Sequence, residues 1–561
     1  MTNDLPLSSV SDRRALLKGN LIDGQDLKSL LEGSLTWLKT NQQIVNALNV
    51  FPVPDGDTGT NMLLTMQAAY NEVAQSGERN VGKMAHAVAQ GALMGARGNS
   101  GVILSQIWRG FARALDNFET MNCSQFSQAL TEGKNTAYKG VVRPVEGTIL
   151  TVAKDVAAEG ELCIQAEIEF ETMFERLVHA ADESVKRTPE LLPILKQAGV
   201  VDSGGKGYYF ILDGMLRLIK GQSLETPTGS VQPLSMMNLE DSMEAVEEGQ
   251  DYEVIVDFKP FQPLELESFY NGLLEIGTSI QVGEGDGMYR MHIHVPTDKR
   301  YEPIDYTMNL GTITKVQIEN LMAQMEEIEN KKSSKLQLAP VEPGQIAVVA
   351  VSPGSGLSRI FASLNVNAIV EGGQTMNPST EEILLAFENL PTDKVIILPN
   401  NKNIILAAQT AMTLTVKQVV VIPTISVPQG LAAMLRLDPA AELSDMELEM
   451  KAAIHEVDTG EITVATRTVE INGVDVQTGQ VIALLNGKLI QACSTIEDAC
   501  LHLLEKANTE DKERITLFYG SNISKSEVNV IVDKIRSAYP KHEIEMHDGG
   551  QPHYQFIISI E

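Results

Sequence analysis

The sequence predicts a multidomain protein with an all-α domain first, a small α+β domain next and an α/β domain last. Three observations carry that prediction. Through the first 220 residues apolar side chains recur at helical spacing and strand-like runs are almost absent. Between Tyr252 and Ile328, alternating strand patterns mix with helical ones. From Ile346 onward, continuous apolar runs are each followed by a turn and an amphipathic helix, the pattern of a parallel sheet. At about one domain per 150 residues, 561 residues suit three or four domains. The boundaries read as 1–222, 250–332 and 342–561.

In the first domain, Leu27, Leu30, Leu31, Leu35, Leu38, Ile44, Val45 and Leu48 mark a helical stretch from Asp26 to Leu48. Further helical stretches fall at about 61–76, 80–116, 124–138, 145–158, 171–187 and 204–220, giving a bundle or barrel of helices. Residues 221–250 mix Pro, Gly, Ser and acids without periodicity and read as a linker. In the second domain, Tyr252–Phe258 and Gly287–Val295 alternate as strands, 264–275 reads as a helix, and Ile313–Ile328 reads as a closing helix before the Lys-rich stretch 331–335. In the third, Ile346–Val351, Lys394–Leu398 and Gln418–Ile422 read as buried parallel strands. After residue 460 the pattern shifts to hairpins at Asn472-Gly473 and Asn486-Gly487. Ile515–Tyr519, a helix at 525–538 and Tyr554–Ile560 then form a second small α/β unit.

With 44 basic and 74 acidic side chains the formal net charge is −30, which argues against general binding to nucleic acid or anionic membrane. No Lys or Arg occurs from Gly221 to Phe258. Four cysteines (Cys123, Cys163, Cys493, Cys500) are too few for a disulfide framework, and the last two are spaced for one side of a helix, so all read as buried thiols. The first twenty residues are polar with no apolar signal core, and no apolar run reaches the length of a membrane span. The expectation is a cytoplasmic protein with no membrane insertion.

The most informative segment is Asn49-Val50-Phe51-Pro52-Val53-Pro54-Asp55-Gly56-Asp57-Thr58-Gly59-Thr60-Asn61-Met62. Two prolines end the preceding helix, and Gly56 and Gly59 permit a tight turn. Asp55 and Asp57 lie two apart, so both carboxylates can converge on one hard cation such as Mg²⁺, which takes a few carboxylates plus phosphate oxygens and water. Thr58, Thr60 and Asn61 then open a helix whose N–H groups favour phosphate. The alternative is an Asx-rich turn whose aspartates cap the next helix. Two further glycine-rich turns at helix starts, Gly95–Gly101 and Val200–Gly207, favour the first reading. Three such turns together form one rim able to grip a polyphosphate.

These motifs resemble the nucleotide-binding domain of the dihydroxyacetone kinase L-subunit class, an α-helical barrel holding ATP through Mg²⁺. The order of all three blocks is similar to the ATP-binding subunit of bacterial fatty acid kinase. The resemblance implies that Asp55 and Asp57 hold Mg²⁺, with Asn49 at the position of a third ligand where smaller subunits carry Asp. It gives phosphate contacts to Thr58, Gly59, Thr60 and Asn61, and nucleotide contacts to Asn99, Ser100 and Gly101. The resemblance also implies that Thr148 and Ile149 lie near the adenine and that Asp202 and Gly204 close over the nucleotide; for Ile149, core packing is an equal alternative. Such a site performs in-line phosphoryl transfer, and an acceptor that is itself a carboxylate needs no protein base. His86, the histidine nearest these turns in sequence, reads as structural.

His292 and His294 lie two apart on a strand and project from one face. That pair suits a metal, although a solvated pair is the more frequent outcome. The resemblance implies a Zn²⁺ site there whose remaining ligand is a Cys after a Tyr on the first strand. Here Tyr252 is followed by Glu253, an acceptable but less selective zinc ligand. Loss, weakening and rebuilding of the site around Glu253 all stay open. Pro353-Gly354-Ser355-Gly356-Leu357 sits where α/β domains bind phosphate, yet lacks a P-loop signature and reads first as a plain connection. Asp548-Gly549-Gly550-Gln551-Pro552 is similar to the family's C-terminal signature, which implies that this region docks a fatty-acid-binding partner of the DegV type.

Three functions follow for testing. The first is a kinase subunit, expected as a homodimer, that phosphorylates a fatty acid presented by the separate partner. The second is a kinase for dihydroxyacetone or a similar small molecule. The third is a nucleotide-binding scaffold without turnover.

Overall fold

Asp23 starts the first helix. Its carboxylate accepts from the Gln25 and Asp26 N–H groups while the Asp26 carboxylate accepts from the Asp23 N–H, a capping box. The helix it opens, α1 (Gly24–Thr40), buries Leu27, Leu30, Leu31, Leu35 and Leu38 along one stripe. The computed structural model describes residues 21–48, 53, 56–141, 143–224, 232–233, 251–285, 288–321, 336, 338–374, 376–471, 473–507, 509 and 512–561. Two compact units divide the chain: one joins residues 1–224 to 337–561, the other holds 225–336.

After α1 come α2 (Gln42–Asn46), α3 (Thr58–Val73), α4 (Val81–Met94), α5 (Gly98–Ala114), α6 (Cys123–Gly140), α7 (Ile149–Gln165), α8 (Phe170–Leu191), α9 (Pro193–Ala198) and α10 (Ser203–Ile219). Neighbours follow the chain from α3 through α8, α8 packs on α10, α10 on α1, and α1 on α3 and α4. The ring closes, so the predicted all-α domain is a barrel of helices. Its interior is one apolar cluster in which Phe126 meets Phe170 and Phe174. The stretch 80–116 is two helices, α4 and α5, parted at Gly95–Arg97, and the stretch 26–48 breaks at Asn41. Among the described residues, the β-pairings of this domain are isolated bridges.

The middle unit is a five-stranded sheet in the order β1-β3-β4-β2-β5. Its elements are β1 (Gln232–Pro233), β2 (Tyr252–Pro260), α11 (Leu266–Leu274), β3 (Thr278–Gly285), β4 (Met288–Val295), α12 (Glu302–Leu310) and β5 (Gly311–Asn320). One face buries Val254, Val256, Met291, Ile293 and Val295 with Phe269 and Leu273 of α11. Strand alternation sends Glu253, His292 and His294 to the other face.

The closing helix expected at Ile313–Ile328 is instead strand β5 as far as Asn320. A register shift opposite Asp257 and Phe258 inserts one residue, so Ile313 pairs with Phe258 while Ile318 pairs with Val254. Two isoleucines five apart, on opposite faces of a regular strand, thus share the core face. The bulge disguised the period of two that would have marked a strand. Residues 322–328 and the Lys-rich stretch lie outside the described residues.

The third domain opens with β6 (Ile346–Ser352), α13 (Ser355–Ser363), β7 (Ala368–Glu371), α14 (Thr380–Glu388), β8 (Lys394–Leu398), α15 (Ile405–Met412), β9 (Gln418–Val421), α16 (Val427–Met434) and α17 (Leu443–Ala453). Its four strands are parallel, in the order β7-β6-β8-β9. Then follow β10 (Asp458–Val464), β11 (Val469–Ile471), β12 (Val474–Val476), β13 (Val481–Leu485), β14 (Lys488–Cys493), α18 (Ile496–Lys506), β15 (Arg514–Tyr519), α19 (Lys525–Ala538), β16 (Glu543–Asp548) and β17 (Tyr554–Ile560). Six of these form a mixed sheet in the order β14-β13-β10-β17-β15-β16. Asn486 and Gly487, with φ of 51° and 72°, make the predicted β13–β14 hairpin turn. Cys493 ends a strand and Cys500 lies on α18, so the two do not share a helix as their spacing implied; all four thiols are buried and none forms a disulfide. Among the described residues, no helix is long and apolar enough to cross a membrane.

Candidate functional site

The site is built around the start of α3. Asp57 occupies the N-cap position, is only 8% exposed, and makes no side-chain capping bond. Capping comes from another helix: Asn46, the last residue of α2, accepts from the Gly59 N–H at 2.7 Å and the Thr60 N–H at 3.2 Å through Oδ1. The reading in which Asp57 only caps its helix is therefore excluded. Two of the N–H groups expected to face phosphate are occupied by Asn46. The Thr60 hydroxyl accepts from Gln42 Nε2 at 2.8 Å and Asn46 Nδ2 at 3.0 Å, which turns it toward α2. Both bonds use Thr60 Oγ1 as an acceptor, so the O–H that the expected phosphate contact would use is not engaged by them. Asn49 and Asp55 lie outside the described residues.

The structure brings the three glycine-rich turns together. Gly98 has a φ of +57°, and a Cβ there would come within 2.6 Å of Asn61 Nδ2. Gly101 lies where any side chain would run into the Thr65 hydroxyl, so it permits close packing of α5 on α3. From the third turn, the Ser203 hydroxyl donates to Thr58 Oγ1 at 3.2 Å. Gly204 packs against Ile149, which is itself buried in the barrel core, and Thr148 caps α7 through the Leu150 N–H at 3.4 Å. Asp202 caps α10 by accepting from the Gly205 N–H at 2.6 Å. Burial pushes its carboxyl up to about 6, with the Gly205 and Ile149 N–H groups opposing. Thr58, Gly59, Asn61, Gly98, Thr148, Ile149, Asp202 and Gly204 thus surround one end of the barrel. Asn99 and Ser100 lie at the start of α5, where the exposed Asn99 side chain approaches Asn403 Oδ1 at 3.4 Å.

The third domain also reaches this end of the barrel, which the sequence did not indicate. Ala96 and Val102 join an apolar cluster with Val349, Val351, Ile383 and Phe387. The Thr380 N–H donates to the Ala96 carbonyl at 3.1 Å, and Arg97 pairs with Glu382 at 3.1 Å. Arg97 also donates to the Asn377 carbonyl at 2.9 Å, and the Asn377 side-chain amide donates to Asp57 Oδ2. Asn377 stands 320 residues from Asp57. No motif connects residues at that separation; only the folded contact does.

In the middle unit, Glu253, His292 and His294 are all buried, and one ligand atom from each lies within 4.8 Å of the others. Glu253 Oε1 meets His292 Nε2 at 2.7 Å, the two imidazole centroids are 4.9 Å apart, and His292 Nδ1 is buried without a hydrogen-bond partner. Residues so buried are not the solvated pair that is the commoner fate of two histidines. One carboxylate and two imidazoles form a donor set suited to Zn²⁺ with one position open. His86, by contrast, is an exposed partner of Asp116.

The Pro353–Leu357 turn is a connection and not a phosphate cradle. Gly354 and Gly356 press on the backbone of Asp548, Gly549 and Gly550, and the Leu357 N–H donates to the Gly549 carbonyl at 3.0 Å. The two motifs therefore fill each other. Gln551 behind them is buried and donates to the Phe518 carbonyl at 2.8 Å.

Residues 52–217 match the DAK2 domain. Residues 249–328 match the middle domain, and 347–561 the C-terminal domain, of the FakA-like fatty acid kinase family. Protein YloV of Bacillus subtilis (strain 168) is 38% identical over 556 residues, covering 96% of this chain and 99% of that protein. An uncharacterized protein of Staphylococcus aureus (strain USA300) is 36% identical over 538 residues, covering 93% and 96%. Two solved structures are similar at low scores. The fatty acid binding protein DegV of Bacillus subtilis has a TM-score of 0.29 at 15% identity, covering 38% of this chain and 98% of its own. The Streptococcus pneumoniae Fatty Acid Kinase (Fak) B3 protein loaded with linoleic acid has a TM-score of 0.29 at 12% identity, covering 39% and 99%. With three consecutive domain matches and near-full-length relatives, the chain belongs to the FakA-like fatty acid kinase family.

Proposed function

We propose that this chain is the ATP-binding subunit of a fatty acid kinase. In this reading it transfers the γ-phosphate of ATP to the carboxylate of a fatty acid presented by a separate DegV-type fatty-acid-binding protein. The observation that carries the reading is Asp57: a buried carboxylate relieved of capping by Asn46, at the meeting point of three glycine-rich turns. Holding a carboxylate out of water is costly unless a cation or hydrogen bonds compensate it, so the donor chemistry fits Mg²⁺. Asp55 and Asn49 are the other ligands that the resemblance implies.

When bound, Mg²⁺ would offset the charge that develops on the phosphates during transfer. The chain's own contribution is position. Ser203 and Thr58 tie the third turn to the first, Gly98 lets the second approach Asn61, and Asp202 and Thr148 fix the starts of α10 and α7. In the transfer, a carboxylate oxygen of the fatty acid forms a bond to the γ-phosphorus as the bond to the bridging oxygen of ADP breaks. The acceptor is already ionised, so no proton need be removed by the protein and no nearby histidine is required. In the middle unit, Glu253, His292 and His294 would hold Zn²⁺, with Glu253 in place of a cysteine.

The test compares acceptors. Full-length protein with Mg-ATP is given a fatty acid on a purified DegV-type carrier, the free fatty acid, or dihydroxyacetone. Acyl phosphate formed only with the carrier supports the reading. Phosphorylation of dihydroxyacetone without a carrier would replace it with the small-molecule kinase, and nucleotide binding without any transfer would leave a scaffold.

A further inference from the structure

A side chain of the third domain reaches the Asp57 carboxylate of the barrel. The segment between β7 and α14 leaves the third domain, and its Asn377 side chain is 1% exposed, with the amide Nδ2 donating to Asp57 Oδ2. That segment is fixed at both ends. Toward its start, Gln374 donates to the Tyr554 hydroxyl at 3.1 Å and accepts from Asn401 at 2.9 Å. Toward its end, Ser379 and Glu382 form a capping box that starts α14, and Glu382 pairs with Arg97. Arg97 in turn holds the Asn377 carbonyl. Backbone and side chain of Asn377 are therefore both committed to the barrel.

A neutral amide suits this position. It donates to one carboxylate oxygen without competing as a charge, so the carboxylate keeps its negative charge for a cation and loses its freedom to rotate. A lysine or arginine in its place would neutralise the carboxylate. The other end of the amide, Asn377 Oδ1, is buried with no hydrogen-bond partner. A buried acceptor left unpaired is unfavourable and calls for a partner such as a water or an ion. Beside an oxygen-coordinated cation it has a use: it can accept a hydrogen bond from a cation-bound water.

We propose that Asn377 is a positioning residue of the phosphoryl-transfer site, so that the site is shared between the helical barrel and the third domain. Asn377 orients the Asp57 carboxylate for Mg²⁺, and the third domain thereby controls cation binding in the first. This rests on the kinase reading above.

The experiment is calorimetric titration of ADP into the full chain at a series of Mg²⁺ concentrations, with transfer to the carrier-bound fatty acid measured alongside. Asn377→Ala is expected to raise the Mg²⁺ concentration that gives half-maximal nucleotide affinity by about tenfold, the effect of losing a hydrogen bond to a charged group. Transfer at saturating Mg²⁺ should recover a large part of its rate. Glu382→Gln weakens the same domain contact without touching Asp57 and should leave the Mg²⁺ midpoint within about twofold. Circular dichroism and thermal unfolding establish that each variant is folded. An unchanged midpoint in folded Asn377→Ala overturns the proposal and leaves the kinase reading standing. An equal shift in Glu382→Gln also overturns it, because domain docking alone would then explain the effect. If the wild-type chain binds ADP with no Mg²⁺ dependence, the kinase reading fails and this proposal with it.

Discussion

Asn46 Oδ1 accepts from the Gly59 N–H at 2.7 Å, so the helix that begins the site is capped from α2 and not by its own N-cap residue. Asn46→Ala removes the cap and one of the two bonds that hold the Thr60 hydroxyl. A loss of about 1–2 kcal/mol in chemical denaturation is expected, together with weaker nucleotide binding. Asn46→Asp keeps the acceptor and should retain a large part of the stability. Equal losses in both variants would show that the cap is not what stabilises this turn.

Gly98 joins the second turn to the first at Asn61. Gly98→Ala forces a side chain into the left-handed backbone region and places its Cβ 2.6 Å from Asn61 Nδ2. The backbone term alone is about 1–2 kcal/mol. Nucleotide affinity should fall further than stability, because Asn61 must move. An alanine variant with wild-type affinity and unfolding midpoint would contradict the packing described.

The middle unit makes a claim about metal content. Purified protein should carry near one equivalent of zinc by elemental analysis, and chelation should lower the thermal unfolding temperature. Glu253→Cys supplies the softer ligand and should hold zinc against a chelator concentration that strips the wild type. Wild-type zinc near zero, with no effect of chelator on unfolding, would show that the cluster is a hydrogen-bonded acid and two imidazoles without a metal.

Asp202 predicts a pH dependence. Its carboxyl is pushed from an ordinary 3.8 up to about 6 by burial. A raised value means that the folded chain binds the proton more tightly than the unfolded one. The associated stability is therefore fully present below about pH 4 and is lost as pH rises through about 6. Asp202→Asn keeps a capping oxygen and abolishes the titration. In the nucleotide-free protein, the unfolding temperature of Asp202→Asn minus that of wild type should increase from pH 4 to pH 6.5 and then level off. A difference that stays constant over that range would refute the assignment.

The helical barrel and the parallel strands of the third domain were legible because each obeys one period over a long run. The three glycine-rich turns were legible because glycine and small polar residues at helix starts have few structural reasons to recur together. What stayed hidden depends on contacts between distant residues. Asn46 and Asn377 are ordinary asparagines in sequence, and only folding sets one against Gly59 and the other against Asp57. Strand β5 was masked by its bulge, which gives Ile313 and Ile318 a spacing foreign to a regular strand. Thr60 fitted the motif, and its hydroxyl also accepts from Gln42, a residue that the motif does not include. Glu253 was visible as a departure from a cysteine pattern, and the strand register explains its place: it pairs opposite His294 and bonds diagonally to His292.

The measurement that tests the central claim most directly is hydroxylamine trapping of acyl phosphate, using the full-length chain, Mg-ATP and a fatty acid on its carrier. Wild type should give acyl hydroxamate in step with ADP release. Asp57→Asn, which keeps the side chain's size and removes its charge, should reduce the rate by at least about a hundredfold, within the range for loss of a charge-stabilising group. Hydroxamate formed at the wild-type rate by the Asp57→Asn variant, or none formed by wild type with any carrier-bound fatty acid, would contradict the account.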